Sequence, residues 1–101
     1  MELVREGATL RVVGQVDGRT TSELRDALAA QLREEPGDVV LDLAAVEAVD
    51  LTALRMIAVA SRSAMLAGHH LLLRGASPVV RRLLHLSHLR GLIDFEDQVA
   101  V

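Results

Sequence analysis

Hydrophobic and polar positions change period several times along the chain, and each change marks an element. Glu2 to Glu6 reads as a weak strand, and Thr9-Leu10-Arg11-Val12-Val13-Gly14-Gln15-Val16 as a stronger one. The Gly-containing turn between them suits a hairpin. A helical period follows. Thr20 and Glu23 have the spacing of a capping box, and Leu24, Ala27, Leu28, Gln31 and Leu32 fall on one face until Pro36-Gly37 stops the helix. Val39 to Leu43 is rich in β-branched residues and Leu with little alternation apart from Asp42, as expected of a central parallel strand covered on both faces.

Ala44 to Val49 then reads as a short loop leading to Asp50, and an apolar helix is predicted from Leu51 to Ala67, ended by Gly68. His70 to Arg74 is a further short strand. Ser77-Pro78 is a strong helix start, since Ser can cap and Pro fills a position whose N–H has no helical partner. The helix after it carries Val80, Leu83, Leu84 and Ser87. Leu92 to Phe95 forms a last strand before a short, loose tail. No repeat, low-complexity segment or linker divides the chain, so one domain over residues 1–101 is expected. Alternating strands and helices predict an α/β fold: a mixed, mostly parallel sheet with an N-terminal β-hairpin, right-handed crossovers and three to four helices.

Composition narrows the class. Half of the 101 residues are hydrophobic, enough for a single core. The absence of Cys removes a disulfide framework and a thiol nucleophile, in keeping with a reducing compartment. The start, Met1-Glu2-Leu3-Val4-Arg5-Glu6, lacks a basic and apolar leader, and no apolar stretch approaches the ~20 residues of a membrane span. A cytoplasmic protein without membrane insertion is expected. The net charge of -3 hides an asymmetry: residues 1–50 carry 11 acids against 5 Arg, whereas residues 51–93 carry 6 Arg and no acid. Either the two halves complement each other or an Arg-rich surface steers an acidic partner. Direct nucleic-acid binding is disfavoured, because the balance is acidic and Phe95 is the single aromatic residue.

Catalytic chemistry finds little support. His85 and His88 are three apart on a helix and His69-His70 open a strand, but no His-Glu-x-x-His pattern occurs and residues 51–93 offer no carboxylate ligand. Neither a metal nor a cofactor is expected. The serines lie outside any nucleophile-elbow pattern, and Gly14 and Gly18 make no phosphate-cradling loop. What does stand out is Thr52, a hydroxyl in the first turn of an apolar helix, where added negative charge meets the positive end of the helix dipole. Asp50 can cap that helix or orient the Thr52 hydroxyl. Further along the helix, Arg55, Val59, Arg62 and Leu66 follow one line, with Met56, Ala60, Ser63 and Ala67 beside it. One flank must face the sheet, and Arg55, Met56 and Val59 are candidates for an exposed docking face.

The segment Asp50-Leu51-Thr52-Ala53-Leu54 resembles the Asp-Ser-Ser-Gly-Leu hallmark of the STAS family, the sulfate-transporter and anti-sigma-factor-antagonist domain. Gly14-Gln15-Val16-Asp17 is similar to that family's Gly-Glu-Leu-Asp turn, and Ser77-Pro78-Val79-Val80-Arg81-Arg82-Leu83-Leu84 to its final helix. The resemblance spans nearly the whole chain. It implies the same α/β architecture and a non-enzymatic, stand-alone anti-sigma factor antagonist, in which Thr52 takes the position of the phosphorylated Ser. Leu51 then stands for the first Ser of the hallmark and Ala53 for its Gly. The implied partner is an anti-sigma factor of the Ser/Thr-kinase type, met by Asp17, Asp50, Leu51, Ala53, Arg55, Met56 and Val59. Asp17 is either a turn residue bonding its own backbone or, by the resemblance, a neighbour of Thr52. Some STAS proteins with Thr at this position are non-catalytic subunits of phospholipid-transporting ABC systems docked on the ATPase, and that is the alternative function. A small-molecule or nucleotide sensor rests on the Arg-rich half alone. The oligomeric state stays open.

Overall fold

The computed structural model describes residues 1–96, so the tail expected after Phe95 lies largely outside the described residues. The strands are β1 (Glu2–Glu6), β2 (Thr9–Val16), β3 (Val39–Val49), β4 (Leu71–Arg74) and β5 (Asp94–Phe95), and the α-helices α1 (Thr21–Glu34), α2 (Leu51–Leu66) and α3 (Pro78–Leu86). A 3₁₀ turn, Arg90–Leu92, precedes β5. The sheet order is β1-β2-β3-β4-β5; β1 and β2 pair antiparallel and every later pair is parallel. Gly7, with φ 59, is the first of the two residues linking the hairpin, where positive φ matches the twist of the flanking strands.

Consecutive parallel neighbours joined by right-handed crossovers place all three helices on one face. Burial follows that geometry. Leu10, Val12, Val39, Leu41, Leu43, Leu71 and Leu73 belong to the core cluster with Leu24, Leu28, Leu54, Ile57, Leu84 and Phe95. Val40 and Asp42, on the other side of β3, are only partly buried, and Leu72 lies outside that cluster. Here the sequence expectation is corrected: β3 is covered on one face, and its uniform apolar look comes from Val40 sitting on the face without helices.

That second face accounts for part of the charge asymmetry. Arg11, Asp42 and Arg74 are register partners across β2, β3 and β4. Glu6 lies 3.7 Å from Arg11 at one end of the row, and Arg74 donates two hydrogen bonds of 2.8 and 2.7 Å to Glu96 at the other. Charges of opposite sign thus alternate across the sheet. The Arg74 guanidinium holds the Glu96 carboxyl below the usual carboxylate range, chiefly through those bonds.

Two further expectations are revised. Ala44 to Val49 is strand rather than loop: β3 runs on beside β2 as far as the Val16–Val49 pair, with register shifts that insert extra residues on β3. This extension is mostly exposed, so backbone pairing holds it instead of hydrophobic burial. Thr20 and Glu23 form no capping box. Thr20 has helical φ/ψ (-104, -8), and its hydroxyl accepts from the Asp17 N–H at 3.0 Å instead of reaching the helix. The Asp17 carbonyl takes over, accepting from the N–H groups of Thr20 and Thr21. The Ser77 start is as expected, its Oγ accepting from Val80 N at 3.2 Å with Pro78 as the first helical residue.

Candidate functional site at the start of the second helix

β2 and β3 end level with one another. Val16 pairs with Val49, and the Asp50 N–H donates to the Val16 carbonyl at 3.1 Å. The residues that follow, Asp17 and Asp50, therefore stand side by side at the carboxyl edge of the sheet, the edge at which open α/β sheets place their sites. Each shapes its own turn. Asp17 Oδ1 accepts from Arg19 N at 2.9 Å, and its carbonyl accepts from the Thr21 hydroxyl at 2.6 Å. Asp50 is the N-cap of α2, with extended backbone (φ -92, ψ 171) and Oδ1 accepting from Ala53 N at 2.9 Å. The Asp50 carbonyl accepts from Leu54 N at 3.1 Å.

With the cap made by Asp50, Thr52 is left to do something other than close the helix end. It occupies the second helical position and is exposed. The helix has no acidic residue in its first turn, so a charge added at Thr52 meets the positive end of the dipole without burial. The inward positions of α2 are Ala53, Leu54, Ile57, Ala58, Ser61 and Ala64. Ala53 is 0% exposed, which removes its side chain from any partner surface and corrects its place among the expected partner contacts. Leu51 is half-buried. Arg55 is exposed, Met56 half-buried and Val59 66% exposed.

Thr52, Arg55, Val59, Arg62 and Leu66 thus form one exposed line along α2, cationic and apolar by turns. Among the described residues, Arg55 and Arg62 carry no ion pair. The neighbouring line of Met56, Ala60, Ser63 and Ala67 borders a groove toward α1, which Val59 and Ala64 also line together with Arg25, Ala29, Leu32, Arg33 and His69. Leu32 is expected on the apolar face of α1, but Arg25, Ala29 and Arg33 carry no signal of their own, because their approach to α2 depends on how the helices lie together. His85 is exposed in the last turn of α3, and His88 adopts φ 63 just after it, so both belong to a helix end.

An N-terminal hairpin running into a parallel array with helices on one face defines a fold class shared with anti-sigma factor antagonists. The unphosphorylated form of the antagonist SpoIIAA superposes with TM-score 0.74 at 14% identity, over 96% of this chain and 88% of that one. A putative antagonist from Thermotoga maritima gives 0.75 at 16% identity, over 93% and 83%. An antagonist from Mycobacterium paratuberculosis gives 0.72 at 25% identity, over 93% and 81%. A sulfate transporter family protein from Wolinella succinogenes has the same fold at TM-score 0.61 and 21% identity, over 93% and 83%. The family model of the STAS domain matches residues 2–101, and the chain belongs to the STAS family. No protein of curated function matches it. Among the described residues, no helix is long and apolar enough to cross a membrane.

Proposed function

We propose that the chain is a single STAS-like domain acting in the cytoplasm as an anti-sigma factor antagonist, a non-enzymatic protein-interaction switch. It binds an anti-sigma factor of the Ser/Thr-kinase type and is turned off by phosphorylation at Thr52. The observation that carries this reading is the exposure of Thr52 one residue inside a helix already capped by Asp50. A phosphate there adds ~1.5 to 2 negative charges that the helix end tolerates, while an apolar or acidic partner surface pressed against α2 does not. The partner face comprises Asp17, Asp50, Leu51, Arg55, Met56 and Val59.

The exposed cationic and apolar line along α2 fits a second reading, a non-catalytic subunit docked on the ATPase of a phospholipid-transporting ABC system. Affinity capture from the native cells with wild type and Thr52→Glu separates the two. Recovery of a soluble kinase-like protein by wild type alone supports the switch. Recovery of a transporter ATPase by both variants replaces it with the docking subunit.

A further inference from the structure

The groove between α1 and α2 is open to solvent along one side and has a volume of about 660 Å³, within the ~300 to 1,000 Å³ of small-ligand sites. It exists because Ala29, Ala60, Ala64 and Ala67 are too small to fill the space between the helices. Leu32, Met56 and Val59 complete an apolar lining in which Ser63 supplies the one hydroxyl. Its charged and titratable lining groups are Arg25, Arg33 and His69, with no acid.

Those groups are not evenly spread. α1 and α2 both begin at the carboxyl ends of neighbouring parallel strands and run back in the same direction. Arg33, in the last turn of α1, therefore lies at the same end as His69, just past α2. Arg25 sits eight residues earlier, about 12 Å away along the helix. The nearby acids have other engagements: Asp26 is 3.4 Å from Arg25, Glu34 is bound to Arg5, and Asp38 Oδ1 accepts from His70 N at 2.9 Å. Among the described residues Arg33 carries no ion pair.

We propose that this groove binds a long-chain fatty acid as a monomer, its chain along the apolar lining and its carboxylate at Arg33 beside His69. Charge complementarity selects an anion with a single head, and the lining selects an unbranched chain. Leu32, Met56, Ala60 and Ala64 are buried or half-buried along the groove, which suits one chain laid between the helices better than seating on a bilayer. An extended peptide would bury backbone groups along the apolar stretch between the two ends, where Ser63 supplies the one hydroxyl. The proposal goes beyond the switch described above and needs neither kinase nor transporter; the groove shares Met56 and Val59 with the proposed partner face, but Arg33 lies outside that face, so failure of the one reading is distinguishable from failure of the other.

The test is calorimetric titration of the full chain with palmitate below its micellar concentration, with ¹⁵N–¹H spectra to locate the site. Saturable 1:1 binding is expected, with amide shifts concentrated at residues 25–33 and 56–69. Arg33→Glu and the uncharged methyl ester are each expected to weaken binding at least tenfold, and Ala60→Phe to abolish it by filling the groove. Arg33 is exposed, so Arg33→Glu remains informative even where Ala60→Phe fails to fold. The absence of saturable binding, or equal affinity for acid and ester, overturns the proposal. So does association with phosphatidylglycerol vesicles in the absence of monomer binding.

Discussion

A switch at Thr52 requires that negative charge leave the fold standing, and Thr52→Glu tests that requirement. The side chain is exposed at the second position of α2, so no core contact is lost. Interaction with the helix dipole contributes about 0.3 to 1 kcal/mol at low ionic strength, and the better helix propensity of Glu adds a few tenths. Asp50, two positions earlier and on a different face, opposes this by on the order of 0.5 kcal/mol through water. The net lies between about zero and about 1 kcal/mol in favour of the variant. For a domain of this size each kcal/mol moves the melting temperature by ~4 to 8 °C. Thermal melts followed by circular dichroism should therefore place Thr52→Glu level with wild type or a few degrees above it at low salt. The difference should shrink at 1 M NaCl, where the Debye length is ~3 Å. A variant destabilised by more than about 1 kcal/mol would refute the reasoning, since loss of binding could then be loss of fold.

Three other expectations follow from packing and charge. Gly75 has φ 71, and a Cβ built on it would lie 2.8 Å from the Ala44 Cβ and 3.0 Å from the Ala44 backbone. Gly75→Ala should cost about 2 to 4 kcal/mol in urea unfolding, combining left-handed strain with overpacking, whereas Gly37→Ala, with nothing within 4 Å, should stay within about 1 kcal/mol of wild type. Gln31 is 1% exposed; its Nε2 donates to the Gly7 carbonyl at 3.3 Å, while its Oε1 has no hydrogen-bond partner among the described residues. Gln31→Leu should accordingly be neutral or stabilising by up to about 1 kcal/mol, and a loss above about 1.5 kcal/mol in the same unfolding assay would contradict that. The Glu96 carboxyl is held below its ordinary range by Arg74, so its contribution is present above the unfolded value near pH 4.5 and lost as pH falls through the lower folded value. The difference in melting temperature between wild type and Glu96→Gln should be visible at pH 7 and shrink as the pH falls below the ordinary value of 4.5; a gap that widens on acidification would contradict the sign.

The surface proposed for docking has a physical pattern of its own. α2 gives its inward positions to the core, one flank to the α1 groove, and its outermost line to Thr52, Arg55, Val59, Arg62 and Leu66. In the proposed reading, the same helix that stabilises the sheet presents both Thr52 and the face that meets the partner. Under that proposal a phosphate at Thr52 would meet the partner directly, without a conformational relay, because Thr52 lies on the same exposed line as Arg55 and Val59.

The local signals were legible before any coordinates, because their physics is confined to a few neighbouring residues. Gly7 in a two-residue link, Pro36-Gly37 after α1, Asp50 before α2, Gly68 after it and Ser77-Pro78 before α3 place element ends by capping chemistry and allowed φ alone. The order of strands and helices then restricts the fold to a mostly parallel sheet beginning with a hairpin. Tertiary structure decided what depends on partners distant in the chain. Ala44 to Val49 became strand because β2 lies beside it, although its mostly exposed side chains give no burial pattern. Thr20 lost its cap role because the preceding turn brought Asp17 to its hydroxyl. The helices all fell on one side because consecutive parallel strands with right-handed crossovers leave the second face open, where Arg11, Asp42 and Arg74 meet. Ala53 and Thr52 are adjacent in sequence, yet one lies in the core and the other in solvent; they point about 100° apart around the helix, and the rotation of α2 about its own axis decides which of them meets the sheet.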